Sequence, residues 1–215
     1  MNPKAGIVVP TLGTRPDYLR QCLQSIRAAG DAHILLVAPE GFDCLELKKA
    51  GLIDSEVQDP RKGLAEAINL GIAALPSEVE FVNWLGDDDL LSKDALVLAQ
   101  EALSRSSQTV MVFGACSYID SLGETIFVNT SGQWAVPLLR IGPDLVPQPG
   151  SLFRRSAFES VGGLSADFNW AFDFDLFIRF SKIGKVVYIN RNLASFRWHP
   201  ESLSVEHRKM SVAEA

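Results

Sequence analysis

Short runs of β-branched and aliphatic residues alternate, in the first half of the chain, with stretches whose apolar positions recur at helical spacing. Ile7-Val8-Val9 is such a run, of the kind that fills a parallel strand buried on both faces. Leu19, Cys22, Leu23 and Ile26 then share one face of a helix. Thr14 stands where it can cap that helix, Pro16 fits its first turn, and Gly30 stops it. Ile34 to Val37 reads as a second buried strand, Asp43 to Ala50 as a short helix ended by Gly51, and Leu64 to Leu75 as a third helix halted by Pro76.

A further strand, Phe81 to Leu85, runs straight into Gly86-Asp87-Asp88-Asp89, which places consecutive acids at a strand's carboxyl end. Open α/β sheets bind their ligands at that end. Ser92 is placed to cap a helix reaching about Leu103, with Ala95, Leu96, Ala99 and Leu103 on one face. The pattern changes after Thr109. Val110 to Tyr118 and Thr125 to Val128 flank Ser121-Leu122-Gly123 as a hairpin, and the Pro and Gly density from Thr130 to Gly150 predicts a long loop or lid. A helix near Phe174 to Lys182, a strand near Val186 to Ile189 and a polar tail from Glu206 follow. With no internal repeat and no linker, the pattern predicts an α/β fold in one domain over residues 1–205, its mostly parallel sheet flanked by helices, with a mixed second half and a polar tail at 206–215.

Composition narrows the picture. At 215 residues and 47% hydrophobic, the chain can bury roughly 70% of its extended surface, so a core forms without disulfides or structural metal. Twenty Lys and Arg against 26 Asp and Glu give a net charge of −6, which argues against duplex nucleic acid, whose binding needs clustered cations. Cys22, Cys44 and Cys116 are widely spaced with no CxxC pair and read as buried thiols in a reducing compartment. The apolar run before Pro10 is too short for a signal peptide, and no stretch of about 20 apolar residues spans a bilayer, so the expected location is cytoplasmic.

Consecutive carboxylates repel one another unless something positive lies between them. In extended backbone Asp87 and Asp89 would point into one cleft and Asp88 away from it, and hard oxygen ligands favour Mg²⁺ or Mn²⁺. The alternative is a solvated acidic turn ahead of the Ser92 helix. Asp173 and Asp175 lie among Trp170, Phe172, Phe174 and Phe177, surroundings that raise a carboxylate's proton affinity and suit a general base; the plainer reading has both acids stabilising a helix start. His199 is as consistent with a structural histidine as with a ligand, and His33 and His207 carry no supporting context. Trp134, Trp170 and Trp198 are candidate sugar platforms or core residues. Arg61-Lys62 precedes a glycine and a helix, where it could meet a phosphate.

Taken in order, these segments resemble the family 2 glycosyltransferases, inverting enzymes of the GT-A fold. The resemblance runs from Ile7 to about Ser204. It rests on Ile7-Val8-Val9-Pro10-Thr11 with Arg15-Pro16-Asp17-Tyr18-Leu19, on Lys62-Gly63-Leu64 to Asn69-Leu70-Gly71, and on Gly86 to Asp89. Gly150 to Arg155, Val161-Gly162-Gly163-Leu164, Asp173-Phe174-Asp175-Leu176 and Arg197-Trp198-His199 with Ser202 and Ser204 complete it. The resemblance implies a nucleotide-diphosphate sugar donor and a metal-dependent transfer to a glycan, lipid-linked or other hydroxyl acceptor in cell-surface polysaccharide synthesis, with peripheral association at the membrane's inner face. It makes Asp173 the base, Asp89 a ligand of Mn²⁺ or Mg²⁺, His199 a further metal or diphosphate contact, and Thr11, Arg15, Lys62, Asp87 and Asp88 nucleotide contacts, with Glu40 or Asp43 in place of the usual paired Asp. The chain departs from the family at Val37-Ala38-Pro39-Glu40-Gly41, where paired Asp are usual, and at Phe172, where Glu is usual, which points to a more apolar acceptor. A nucleotidyltransferase would carry a Gly-rich basic segment in place of Leu12-Gly13-Thr14-Arg15. A non-catalytic nucleotide-sugar or glycan binding module on the same fold is the alternative from another class.

Overall fold

A computed structural model describes residues 4–139, 142 and 145–199. The expected polar tail, His207, Ser202 and Ser204 lie outside the described residues. In chain order the elements are β1 (Ala5–Pro10), α1 (Pro16–Ala29), β2 (Ala32–Ala38), α2 (Leu45–Lys49), β3 (Ser55–Gln58), α3 (Leu64–Ala74), β4 (Phe81–Trp84), β5 (Leu90–Leu91), α4 (Ala95–Ser104), β6 (Thr109–Ile119), β7 (Thr125–Asn129), α5 (Ala135–Leu138), β8 (Leu152–Arg154), α6 (Arg155–Ser160), α7 (Phe172–Ile183) and β9 (Lys185–Arg197).

The strands form one sheet in the order β3-β2-β1-β4-β8-β6-β9-β5, with β7 also on β6. Strands β3, β2, β1 and β4 are parallel, and Val8 of β1 stands between Leu35 of β2 and Trp84 of β4. The second half is mixed. β8 is antiparallel to both β4 and β6, β9 is parallel to β6, and β5 is antiparallel to β9. β6 is long enough to pair with β8 near Met111 and with β7 from Cys116 onward.

Period-two alternation divides the core. Ile7, Val9 and Leu36 face α1 and α4 through Leu23, Ile26, Leu96 and Leu103, whereas Val8, Leu35 and Trp84 face α3, α6 and α7 through Ile68, Ile72, Phe158 and Phe177. Gly71 lets α3 lie directly on the sheet, since a β-carbon there would stand 2.5 Å from Val8 Cγ1. Cys22, Cys44 and Cys116 are free and buried. Among the described residues no helix is long and apolar enough to cross a membrane.

Several boundaries differ from the sequence pattern. Arg15, not Thr14, precedes α1, and it makes no side-chain cap. α4 starts at Ala95 rather than after Ser92, behind Asp94 in the left-handed region at φ 61. α7 starts at Phe172, so Asp173 stands inside its first turn rather than ahead of it. β9 is much longer than Val186–Ile189. Its polar middle, Asn190-Arg191-Asn192, is exposed, and its pairing with β6 is irregular there.

Candidate active site

The carboxyl ends of β1 and β4 lie side by side, which brings the loop of residues 11–15 against residues 86–89. The Asp89 N–H donates to the Gly86 carbonyl at 3.1 Å, so the acidic segment is a turn rather than extended backbone. Strict alternation therefore fails, and the expected pairing of Asp87 with Asp89 is corrected: Asp87 and Asp88 share Arg15, whereas Asp89 meets the Arg197 N–H.

Asp87 is saturated. The Thr11 hydroxyl donates to its Oδ2 at 2.5 Å, and the Arg15 guanidinium donates to its Oδ1 at 2.7 Å. Thr11 Oγ1 also accepts the Gly13 N–H at 3.0 Å, which fixes the loop. Burial raises the Asp87 proton affinity, while the Thr11 hydrogen bond and the Arg15 charge pull it down.

Asp88 meets two partners. Arg15 Nη1 is 2.8 Å from Asp88 Oδ2, and His199 Nε2, brought in just beyond the end of β9, is 2.8 Å from the same oxygen. His199 is buried, with its ring 5.6 Å from that of Tyr18. Asp89 is buried and accepts the Arg197 N–H at 2.9 Å. Its carboxyl is pushed well above the ordinary range, first by burial and then by the Asp88 charge. Among the described residues the carboxylate hydrogen-bonded to His199 is therefore that of Asp88, while Asp89 meets the Arg197 N–H.

Asp88 Oδ2 and His199 Nε2 are donor atoms of the kinds a small divalent cation accepts, with Arg15 Nη1 at 2.8 and 2.9 Å from them in its place. Ligands about 2.1 Å from such an ion, at right angles to one another, lie about 3.0 Å apart. Among the described residues no group of three or more His, Cys, Asp or Glu side chains converges as a metal site, so further positions would fall to water or substrate oxygens, as is usual for Mg²⁺.

Sequence reasoning assigned no role to Arg197. Only 2% exposed, its guanidinium donates to the carbonyls of Asp88 at 2.9 Å and of Asp120 and Ser121 at 3.3 Å, and to Gln21 Oε1 at 3.0 Å. It also stacks 4.4 Å over the Tyr18 ring. The available signal was one Arg between two aromatic residues at the end of an apolar strand.

Beside Asp173, the Phe172 ring packs 6.1 Å from that of Trp84, the last residue of β4. Phe172 is a core residue. Burial pushes the Asp173 carboxyl up to about 6, against the hydrogen bond from the Phe174 N–H. Asp175 is differently employed: it accepts from Arg179 at 2.7 and 2.9 Å, and Arg179 also holds the Val161 and Gly163 carbonyls at 2.8 Å each.

Glu40 and Lys62 are exposed on loops after β2 and β3, and among the described residues neither is hydrogen-bonded to the acidic turn. Arg61 has φ 55, and its N–H bonds Asp59 Oδ1. His33 is paired with Ser55 at 2.7 Å, away from the site. Trp134 is 71% exposed, while Trp198 is half-buried 6.0 Å from the Tyr118 ring.

Strand order, parallel first half and site position together define the fold of the GT-A-type glycosyltransferases. No protein-family model matches the sequence. The fold superimposes on S. aureus TarS 1-349 in complex with UDP-GlcNAc with a TM-score of 0.70 at 11% identity, over 93% of this chain and 60% of that one. On the mannosyltransferase PcManGT from Pyrobaculum calidifontis, in complex with GDP-Man and Mn²⁺, the TM-score is 0.68 at 15% identity, over 100% of this chain and 63% of that one. The succinoglycan biosynthesis protein ExoW of Rhizobium meliloti (strain 1021) is 29% identical over 110 residues, which are 47% of this chain and 34% of that protein. The chain thus spans about a third of the length of this curated relative.

Proposed function

We propose that this chain is a glycosyltransferase domain that moves a sugar, with inversion, from a nucleotide-diphosphate donor to a hydroxyl acceptor, using Mn²⁺ or Mg²⁺. The observation that carries the reading is the approach of Asp88 Oδ2 and His199 Nε2 to 2.8 Å at the carboxyl end of β4, the ligand-binding end of such a sheet. UDP-GlcNAc, GDP-Man and Mn²⁺ are bound by proteins of the same fold, and the name of ExoW supports polysaccharide assembly as the setting. A glycan or lipid-linked acceptor, met at the cytoplasmic face of the membrane, belongs to the same proposal.

Asp88 and His199 would hold the cation, not Asp89. When bound, the cation supplies positive charge to the departing diphosphate. Thr11 and Arg15 hold Asp87 in place, and Arg15, Lys62 and Glu40 offer polar groups toward the nucleotide from three loops. Asp173, with its carboxyl near 6, is ionised at neutral pH and takes the acceptor hydroxyl proton as the new bond to the anomeric carbon forms.

Donor turnover with UDP- and GDP-sugars, measured with Mn²⁺ and with excess chelator, tests the reading. Metal-stimulated release of UDP or GDP that is lost in Asp173→Asn is the expected result. Nucleotide binding without turnover in any metal would instead identify a non-catalytic module.

A further inference from the structure

Three polar atoms crowd together at Asp88. Arg15 Nη1 is 2.8 Å from Asp88 Oδ2 and 2.9 Å from His199 Nε2, and Nε2 is itself 2.8 Å from Oδ2. Arg can only donate, and an ionised carboxylate can only accept. His199 Nε2 does one or the other according to its tautomer. With a lone pair on Nε2, Arg15 donates to both atoms, and Nε2 and Oδ2 confront each other as two acceptors. With a proton on Nε2, it donates to Asp88, and its contact with Arg15 becomes one of two donors. Either tautomer leaves one side of the triangle repulsive, and burial of His199 reduces the screening of that repulsion.

A divalent ion that accepts lone pairs from Oδ2 and Nε2 removes the conflict, but Arg15 then has to leave Asp88. The side chain is built to do so. Its second arm stays on Asp87 Oδ1 at 2.7 Å, Asp87 is held from behind by Thr11, and the Arg15 side chain is 23% exposed toward solvent.

We propose that Arg15 is the resident counter-cation of the site: it keeps Asp88 and His199 closed in the metal-free protein, yields Asp88 to the incoming divalent ion, and is thereby released toward the donor's diphosphate. This rests on the reading of Asp88 and His199 as the cation's ligands. Its consequence is coupling. Metal alone binds weakly because it has to displace a guanidinium, and metal with nucleotide binds tightly because the displaced guanidinium gains an anionic partner.

The test is Mn²⁺ binding followed by electron paramagnetic resonance of the free ion, with and without UDP or GDP, in the wild type, Arg15→Gln and Arg15→Lys. Without nucleotide, Arg15→Gln is expected to bind Mn²⁺ at least about tenfold more tightly than wild type, since the competing charge is gone. Arg15→Lys, a cation without the two-armed fork, should fall between them, and it carries the same comparison should Arg15→Gln melt. The nucleotide should tighten Mn²⁺ binding by a larger factor in the wild type than in Arg15→Gln. If the wild type binds Mn²⁺ and the variants bind it no more tightly, the counter-cation role is overturned and the reading of Asp88 and His199 as ligands is not. An equal nucleotide effect in wild type and Arg15→Gln overturns the release step. If neither wild type nor Arg15→Gln binds Mn²⁺, the metal reading falls and the counter-cation falls with it.

Discussion

The main-chain N–H of Arg197 donates to Asp89 Oδ1 at 2.9 Å, and its guanidinium returns to the neighbouring Asp88 carbonyl at the same distance. Two contacts from one residue thus clamp the acidic turn from below. The Asp89 carboxylate accordingly helps to hold the turn. Asp89→Ala leaves a buried N–H unpaired and should cost about 1–3 kcal/mol. Asp89→Asn keeps an acceptor oxygen and removes a buried carboxylate, so it should lose less. Urea unfolding of both variants checks the order, and equal losses would argue against the hydrogen bond as the cause.

On the proposed assignment, Asp88→Asn and His199→Ala should each weaken Mn²⁺ binding by about tenfold or more, whereas Asp89→Asn should leave it within about threefold, since Asp89 Oδ1 is already taken by the Arg197 N–H. Isothermal titration of the three variants at one pH separates the assignments. A loss confined to Asp89→Asn would return the metal to the position the resemblance implied.

Asp173→Asn should lower turnover by about 10²–10⁴, the usual worth of a positioned base, with donor affinity unchanged. In the wild type, kcat/KM should fall as pH drops through about 6, where Asp173 takes up its proton. The sign for stability is opposite. The folded protein binds this proton more tightly than the unfolded chain, so the contribution is complete below the ordinary aspartate range and is lost as pH rises through about 6. Asp173→Asn should therefore melt no lower than wild type at pH 7.5. A pH profile without that limb, or a clearly lower melting temperature, contradicts the assignment.

Asp175→Asn should act the other way, on the fold rather than on the reaction. It removes the charge that holds Arg179 beneath the Val161 and Gly163 carbonyls. Both side chains are about one quarter exposed, which limits the cost to about 1 kcal/mol. Melting temperature should drop while turnover per folded molecule stays within about threefold.

The strands buried on both faces were legible because burial selects largely apolar runs, as in Ile7-Val8-Val9 and in Phe81, Val82 and Trp84 around the one buried polar residue Asn83. β3 was not: Ser55-Glu56-Val57-Gln58 is a half-exposed edge strand whose pairing with β2 is set by backbone hydrogen bonds that composition does not record. The polar middle of β9 hid its length for the same reason. At the site, Asp88 and His199 were both marked as candidates, yet which acid meets the histidine depends on a single backbone hydrogen bond, Asp89 N–H to Gly86. A strand's alternation says nothing about the turn that follows it.

His199 lies 184 residues from Arg15 and 111 from Asp88 along the chain. During synthesis, therefore, the parallel half of the sheet can be complete while the cluster at its edge is still only acids and one arginine. On the proposed reading, the cation's second ligand therefore comes from just beyond the last described strand, through a contact of long sequence separation. Until β9 has aligned along β6, a nascent molecule carries the scaffold of this site without its chemistry.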